Sequence, residues 1–125
     1  MMRHYDTIAE QQRGPFKIIV DKTWEDLHPR DLFDDSCHDI EELCRKIDDG
    51  TYDWFMLRTR VYFEGVELAE EYLGGCLYDD ANEVMNDGVA EDQIYQALQH
   101  ARATAADMKK KFAALDETAI DNLVA

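Results

Sequence analysis

Two apolar runs meet at Glu64-Gly65, and that junction constrains the fold more than any other part of the chain. Residues 54–78 read as two strands joined there by a two-residue turn. Such a turn sets Phe63 opposite Val66, Val61 opposite Leu68 and Leu57 opposite Tyr72 on one apolar face. The other face pairs Tyr62 with Glu67 and Arg58 with Glu71. Opposite charges across strands contribute about 0.2–1 kcal/mol each. This register gives Arg58 and Arg60 structural work, so neither is assigned to a binding site. Gly74-Gly75 marks a bulge or a strand end.

The rest of the chain builds around that hairpin. The stretch up to Arg13 reads as helix, broken by Gly14-Pro15. Residues 16–20 read as a strand from their β-branched content, and residues 21–35, with Pro29, as a partly anchored loop. A helix is expected from Ser36, with Asp39 completing a weak capping box. Ile40, Leu43, Cys44 and Ile47 form its buried stripe, leaving Asp39, Glu42 and Asp49 outside, and Gly50 suits the left-handed stop beyond it. Asp79-Asp80 leads into a short helix ended by Asn86-Asp87-Gly88.

Residues 89–115 read as one long helix, about 40 Å at 1.5 Å per residue. Ile94, Leu98, Ala101, Ala105, Met108, Phe112 and Leu115 alternate spacings of four and three. Either this stripe crosses the protein's own sheet, or Leu98, Ala101, Ala105, Met108 and Phe112 form a homodimer seam. A last short helix would carry Ile120, Leu123 and Val124. The fold class is therefore α+β in one domain, residues 1–125. A small antiparallel sheet is centred on the hairpin and packed with a short helix and a long C-terminal helix.

Charge is distributed unevenly over this frame. Of 28 acidic residues, 22 lie between residues 21 and 92, with only six basic ones, so the middle carries −16 and the two ends together +1. A hydrophobic share of 46% with 13 aromatic residues excludes a disordered acidic tail. The three cysteines, Cys37, Cys44 and Cys76, have no paired spacing, and Met1 to Asp6 lacks the apolar stretch of a signal peptide. No apolar run approaches the roughly 18 residues of a membrane helix. A reducing cytoplasm, with no membrane partner, is the expected setting. Nucleic acid would be repelled; a basic surface is the natural partner.

Catalytic chemistry finds little support. Cys37 and Cys44 would stand about 10 Å apart on one helix, too far for one zinc ion. The glycine positions fit no calcium loop. No phosphate loop, nucleophile elbow or positioned Cys-His pair occurs. The expectation is a non-enzyme with no cofactor and no metal.

Sixteen charges match those on about 27 Å of duplex DNA, about eight base pairs. Carboxylates two apart on a strand, or three to four apart on a helix, approach the spacing of phosphates. The candidate contacts are Asp34, Asp35, Asp48, Asp49, Glu70, Glu71, Asp79 and Asp80, with Asp87 and Asp92 behind them. The same acids also suit an ordinary solvated surface, because adjacent residues do not share a face.

The stretch from Trp54 to Leu68, then Leu73-Gly74-Gly75-Cys76-Leu77-Tyr78-Asp79-Asp80, then Glu91 to Leu98, resembles small uncharacterised proteins of tailed phages and mobile elements. That resemblance spans about 45 residues, implies a strand end followed by a short and then a long helix, and brings no catalytic residues. In size and charge the chain is also similar to phage anti-restriction and anti-CRISPR proteins. The expected partner is a basic nucleic-acid-binding protein of a host defence complex, a Cas effector ahead of a restriction enzyme. The alternatives are an acidic phage adaptor or assembly protein dimerising through its C-terminal helix, and an inhibitor acting by steric block away from the DNA channel.

Overall fold

The computed structural model describes residues 3–33 and 39–124. Four strands, β1 (Asp6–Arg13), β2 (Phe16–Trp24), β3 (Asp53–Phe63) and β4 (Val66–Tyr78), form one antiparallel sheet in the order β1-β2-β3-β4. The helices are α1 (Pro29–Leu32), α2 (Ile40–Asp48), α3 (Val89–Ala114) and α4 (Thr118–Val124), with a 3₁₀ turn at Ala81–Met85. The fold is α+β.

The first strand corrects the sequence expectation of an N-terminal helix. Glu10, Gln11 and Gln12 favour a helix locally, but pairing with the β-branched run of β2 overrides that preference. Gly14-Pro15 does not end a helix; it turns a hairpin in which Arg13 pairs with Phe16. Gly14 has φ +57, and proline follows with its fixed negative φ, the sequence a type II′ turn needs.

The central hairpin turns at Glu64-Gly65 as expected, both residues having positive φ and Phe63 facing Val66. Beyond Tyr62–Glu67 the register differs from the expected one. Leu68 is an extra residue, so Val61 pairs with Ala69, Arg58 with Tyr72 and Leu57 with Leu73. Leu68 and Ala69 are both buried, and the gain of two core side chains in succession favours the bulge. A second irregularity falls at Gly74-Gly75, opposite Met56. Gly75 has φ +68, and an added Cβ would stand 2.9 Å from Leu32.

The core lies between the sheet and α3. Ile18, Val20, Leu57 and Val61 present one sheet face to Ala90, Ile94, Ala97 and Ala101. Three alanines on that helix face let the backbones approach closely, and Val84 of the 3₁₀ turn closes the edge. Inside the seam, Thr59 Oγ1 donates to Gln93 Oε1 at 2.8 Å, satisfying two buried polar groups. α2 starts at Ile40, capped by Asp39, whose Oδ1 accepts from Glu42 N at 3.1 Å; the start expected at Ser36 lies outside the described residues. It packs beside α1 at the end of the sheet, so the cover of the sheet comes from α3.

Candidate functional site

Because all neighbouring strands are antiparallel, both tight turns lie at one end of the sheet, and the described segments before β1, between β2 and β3 and just after β4 lie at the other. That second end gathers residues 3–6, 24–33, 39–53 and 78–87. These segments hold 14 acidic side chains and four lysines or arginines. Antiparallel topology thus turns a stretch of sequence into one pole of the molecule.

At this pole many carboxylates are held by uncharged donors. Asp49 Oδ1 accepts from Thr51 N at 2.9 Å and Thr51 Oγ1 at 2.6 Å, which lowers its pKa. Asp80 Oδ1 accepts from Asn82 N at 2.9 Å. Asp53 Oδ2 accepts from Ala81 N at 2.8 Å, and Glu25 Oε2 from Gly75 N at 2.7 Å. Asp87 accepts from the Tyr78 hydroxyl at 2.6 Å and from Val89 N at 3.1 Å. Those bonds lower the Asp87 pKa, while burial followed by Asp87 raises that of Tyr78. An amide or hydroxyl donor fixes a carboxylate without cancelling its charge. Three of these cations pair here, Arg3 with Asp26, Lys46 with Glu42 at 3.5 Å and Arg30 with Glu41 at 3.9 Å, and Lys22 reaches Asp53 from β2 at 3.8 Å. The larger share of the acids remains uncompensated.

The sheet face turned away from α3 is different. Asp21, only 2% exposed, accepts from Arg58 Nε at 2.8 Å and Arg58 Nη2 at 2.5 Å. Arg60 Nη2 donates to the same carboxylate at 3.0 Å, and Arg60 Nη1 to the Tyr62 hydroxyl at 2.8 Å. The Arg58 guanidinium stacks 3.5 Å above the Tyr5 ring. Burial opposes the Arg58 charge, but Asp21 outweighs it and raises the pKa. The partner of Arg58 is therefore Asp21 on β2, not Glu71 as the sequence register implied. Glu71 lies on the α3 side, 3.2 Å from His100 Nδ1.

The expected contact residues divide accordingly. Asp48, Asp49, Asp79, Asp80 and Asp87 gather at the acidic pole. Glu70 and Glu71 sit on opposite faces of β4 and do not form one surface. Asp92 lies exposed in the first turn of α3, beside Glu91, which forms a two-bond pair with Arg13 at 2.8 and 2.7 Å. Asp34 and Asp35 lie outside the described residues. Of the proposed seam, Ala101 is 3% exposed against its own sheet, and Leu98, Ala105 and Met108 pack partly on it. Phe112, 66% exposed, stands clear.

No family model, curated protein or solved structure matches the chain. Its own geometry carries the reading. Glu25, Asp39 and Asp53 belong to the pole but were not among the expected contacts. The signal for two of them was local: Asp39 three residues before Glu42 reads as a cap, and Asp53 stands at a strand start. Glu25 gave none, because its partner Gly75 is 50 residues away. Among the described residues no three His, Cys, Asp or Glu side chains converge as a metal site requires, and no helix is long and apolar enough to cross a membrane. Cys76 is a core thiol whose pKa burial pushes up to about 11.

Proposed function

We propose that this protein is an anti-defence inhibitor that lays its acidic pole against the nucleic-acid-binding surface of a host defence complex, a CRISPR–Cas effector ahead of a restriction enzyme. One observation supports this above all. Glu25, Asp49, Asp80 and Asp87 are oriented by backbone amides and hydroxyls and pair with no cation among the described residues. A rigid array of uncompensated negative charge is what a phosphate-binding channel is built to receive. Occupying such a channel expels its counterions, so affinity falls steeply as salt rises.

Asp48 and Asp79 are the contact candidates with the least structural work, since both are exposed and neither side chain has a hydrogen bond or ion pair among the described residues. Capture from a host lysate at low and high salt, with mass spectrometry of the eluate, identifies the target. The Asp48→Lys/Asp79→Lys double variant is expected to lose capture at an unchanged melting temperature. Full inhibition by that variant sinks the mimicry reading. Competition with DNA for the captured target separates mimicry from steric block elsewhere on it. The exposed Phe112 supports a second reading, an acidic adaptor or assembly protein joined through its C-terminal helix.

A further inference from the structure

The end of the sheet opposite the acidic pole carries a surface of another kind. The last turns of α3 overhang the two tight turns and leave a groove of about 410 Å³. Phe16, Phe63, Val66 and Leu68 form its floor; Ala105, Met108 and Phe112 form its wall, with Lys109 at the rim. Every described residue from 109 to 124 is exposed, so the chain ends in a helical arm that touches little of its own domain. That arm is not polar. Ile120 is 48%, Val124 76% and Leu123 86% exposed.

We propose that the groove is filled by the arm of a second copy, reciprocally, in a two-fold dimer. Charge complementarity selects this occupant. The wall helix ends with Lys109 and Lys110, neither in an ion pair among the described residues, and Lys111, paired with Asp107 at 2.9 Å, whereas the arm beyond it carries Asp116, Glu117 and Asp121 and no lysine or arginine. The dimer is also the approach that self-repulsion permits, because it keeps the two acidic poles at the far ends.

The turn before α4 holds the arm off its own groove. Leu115 is extended, and Asp116 Oδ1 accepts from Thr118 N at 3.0 Å and Thr118 Oγ1 at 2.7 Å. In a two-fold arrangement each contact occurs twice, so one apolar side chain counts double. The seam expected along the whole stripe is thereby moved to its last third and the segment beyond.

The test is sedimentation equilibrium of the full chain across a concentration series, with thermal melts of each variant. The wild type is expected to be dimeric. Leu123→Asp is expected to weaken the dimer by at least about a hundredfold, from two lost Leu burials. Its monomer should melt as the diluted wild-type monomer does, since Leu123 has no internal packing to lose. Glu117→Lys/Asp121→Lys should weaken association, and adding Lys109→Glu/Lys110→Glu should restore part of it. A monomeric wild type overturns the proposal, whether Leu123→Asp lowers its melting temperature (an arm docked on its own groove) or leaves it unchanged. A dimer indifferent to Leu123→Asp overturns it too, by placing the interface elsewhere. None of these variants alters the acidic pole, so loss of the dimer and loss of target capture are read separately.

Discussion

The open face of the sheet and the acidic pole at its end both carry carboxylates from the same acidic stretch, yet they satisfy them in opposite ways. On the face, Asp21 is buried between two guanidiniums, and its charge is cancelled where it stands. At the pole, Asp49, Asp80 and Asp87 take backbone N–H and hydroxyl donors, and their charge persists. The difference teaches that a run of acids is not one feature. Burial forces a carboxylate to find a cation, while a loop lets it settle for an amide and keep its charge uncompensated.

Substitutions can break that contrast or sharpen it. The largest expected effect is at Asp21. Asp21→Asn leaves Arg58 and Arg60 part-buried without a counter-charge and should cost about 3–5 kcal/mol in denaturant unfolding. A loss under 1 kcal/mol would mean that water or Tyr62 already supports the arginines, and the face would then resemble the pole. Next comes Asp39→Ala, which removes the α2 cap and should cost about 1 kcal/mol, read from the same unfolding midpoint.

A pH series gives a smaller but directional effect. Asp87 and Asp49 have lowered pKa values, so what they add is complete above the ordinary carboxylate pKa and is lost as pH falls through the lowered ones. Tyr78 has a raised pKa, so its contribution is complete below about pH 10 and is lost as pH rises through the folded value. The melting temperature should therefore fall at both extremes, and Tyr78→Phe should flatten the alkaline fall. An alkaline fall of the same size in Tyr78→Phe would assign it to another tyrosine. Smallest of all, Asp48→Asn or Asp79→Asn should change stability by no more than about 0.5 kcal/mol in calorimetry. A larger loss at either would show that the pole, too, spends its charge on the fold.

The sequence made the periodic elements legible. The Glu64-Gly65 turn, the α2 stripe and the length of α3 each repeat a pattern over several residues, and repetition survives local noise. What it hid depends on single residues or distant partners. β1 is a strand because β2 lies beside it, a fact absent from Glu10-Gln11-Gln12. Leu68 shifts a register without altering composition, so Arg58 was matched to Glu71 instead of Asp21. Asp21 itself looked like one more acid in a row of them. The pole was legible in part: Asp48, Asp49, Asp79 and Asp80 stood out as doublets, but the doublet Glu70-Glu71 straddles a strand and joins no surface.

The bulge at Leu68 has a consequence for how this chain tolerates change in length. It fixes the parity of β4 from Ala69 to Leu73, sending Glu70 toward the arginines and Glu71 toward His100. Deleting one residue between positions 66 and 69 would exchange those destinations and turn Tyr72 inward beneath α3. In this strand the count of residues carries more information than their identity, and a one-residue deletion there should be harder to survive than any single replacement.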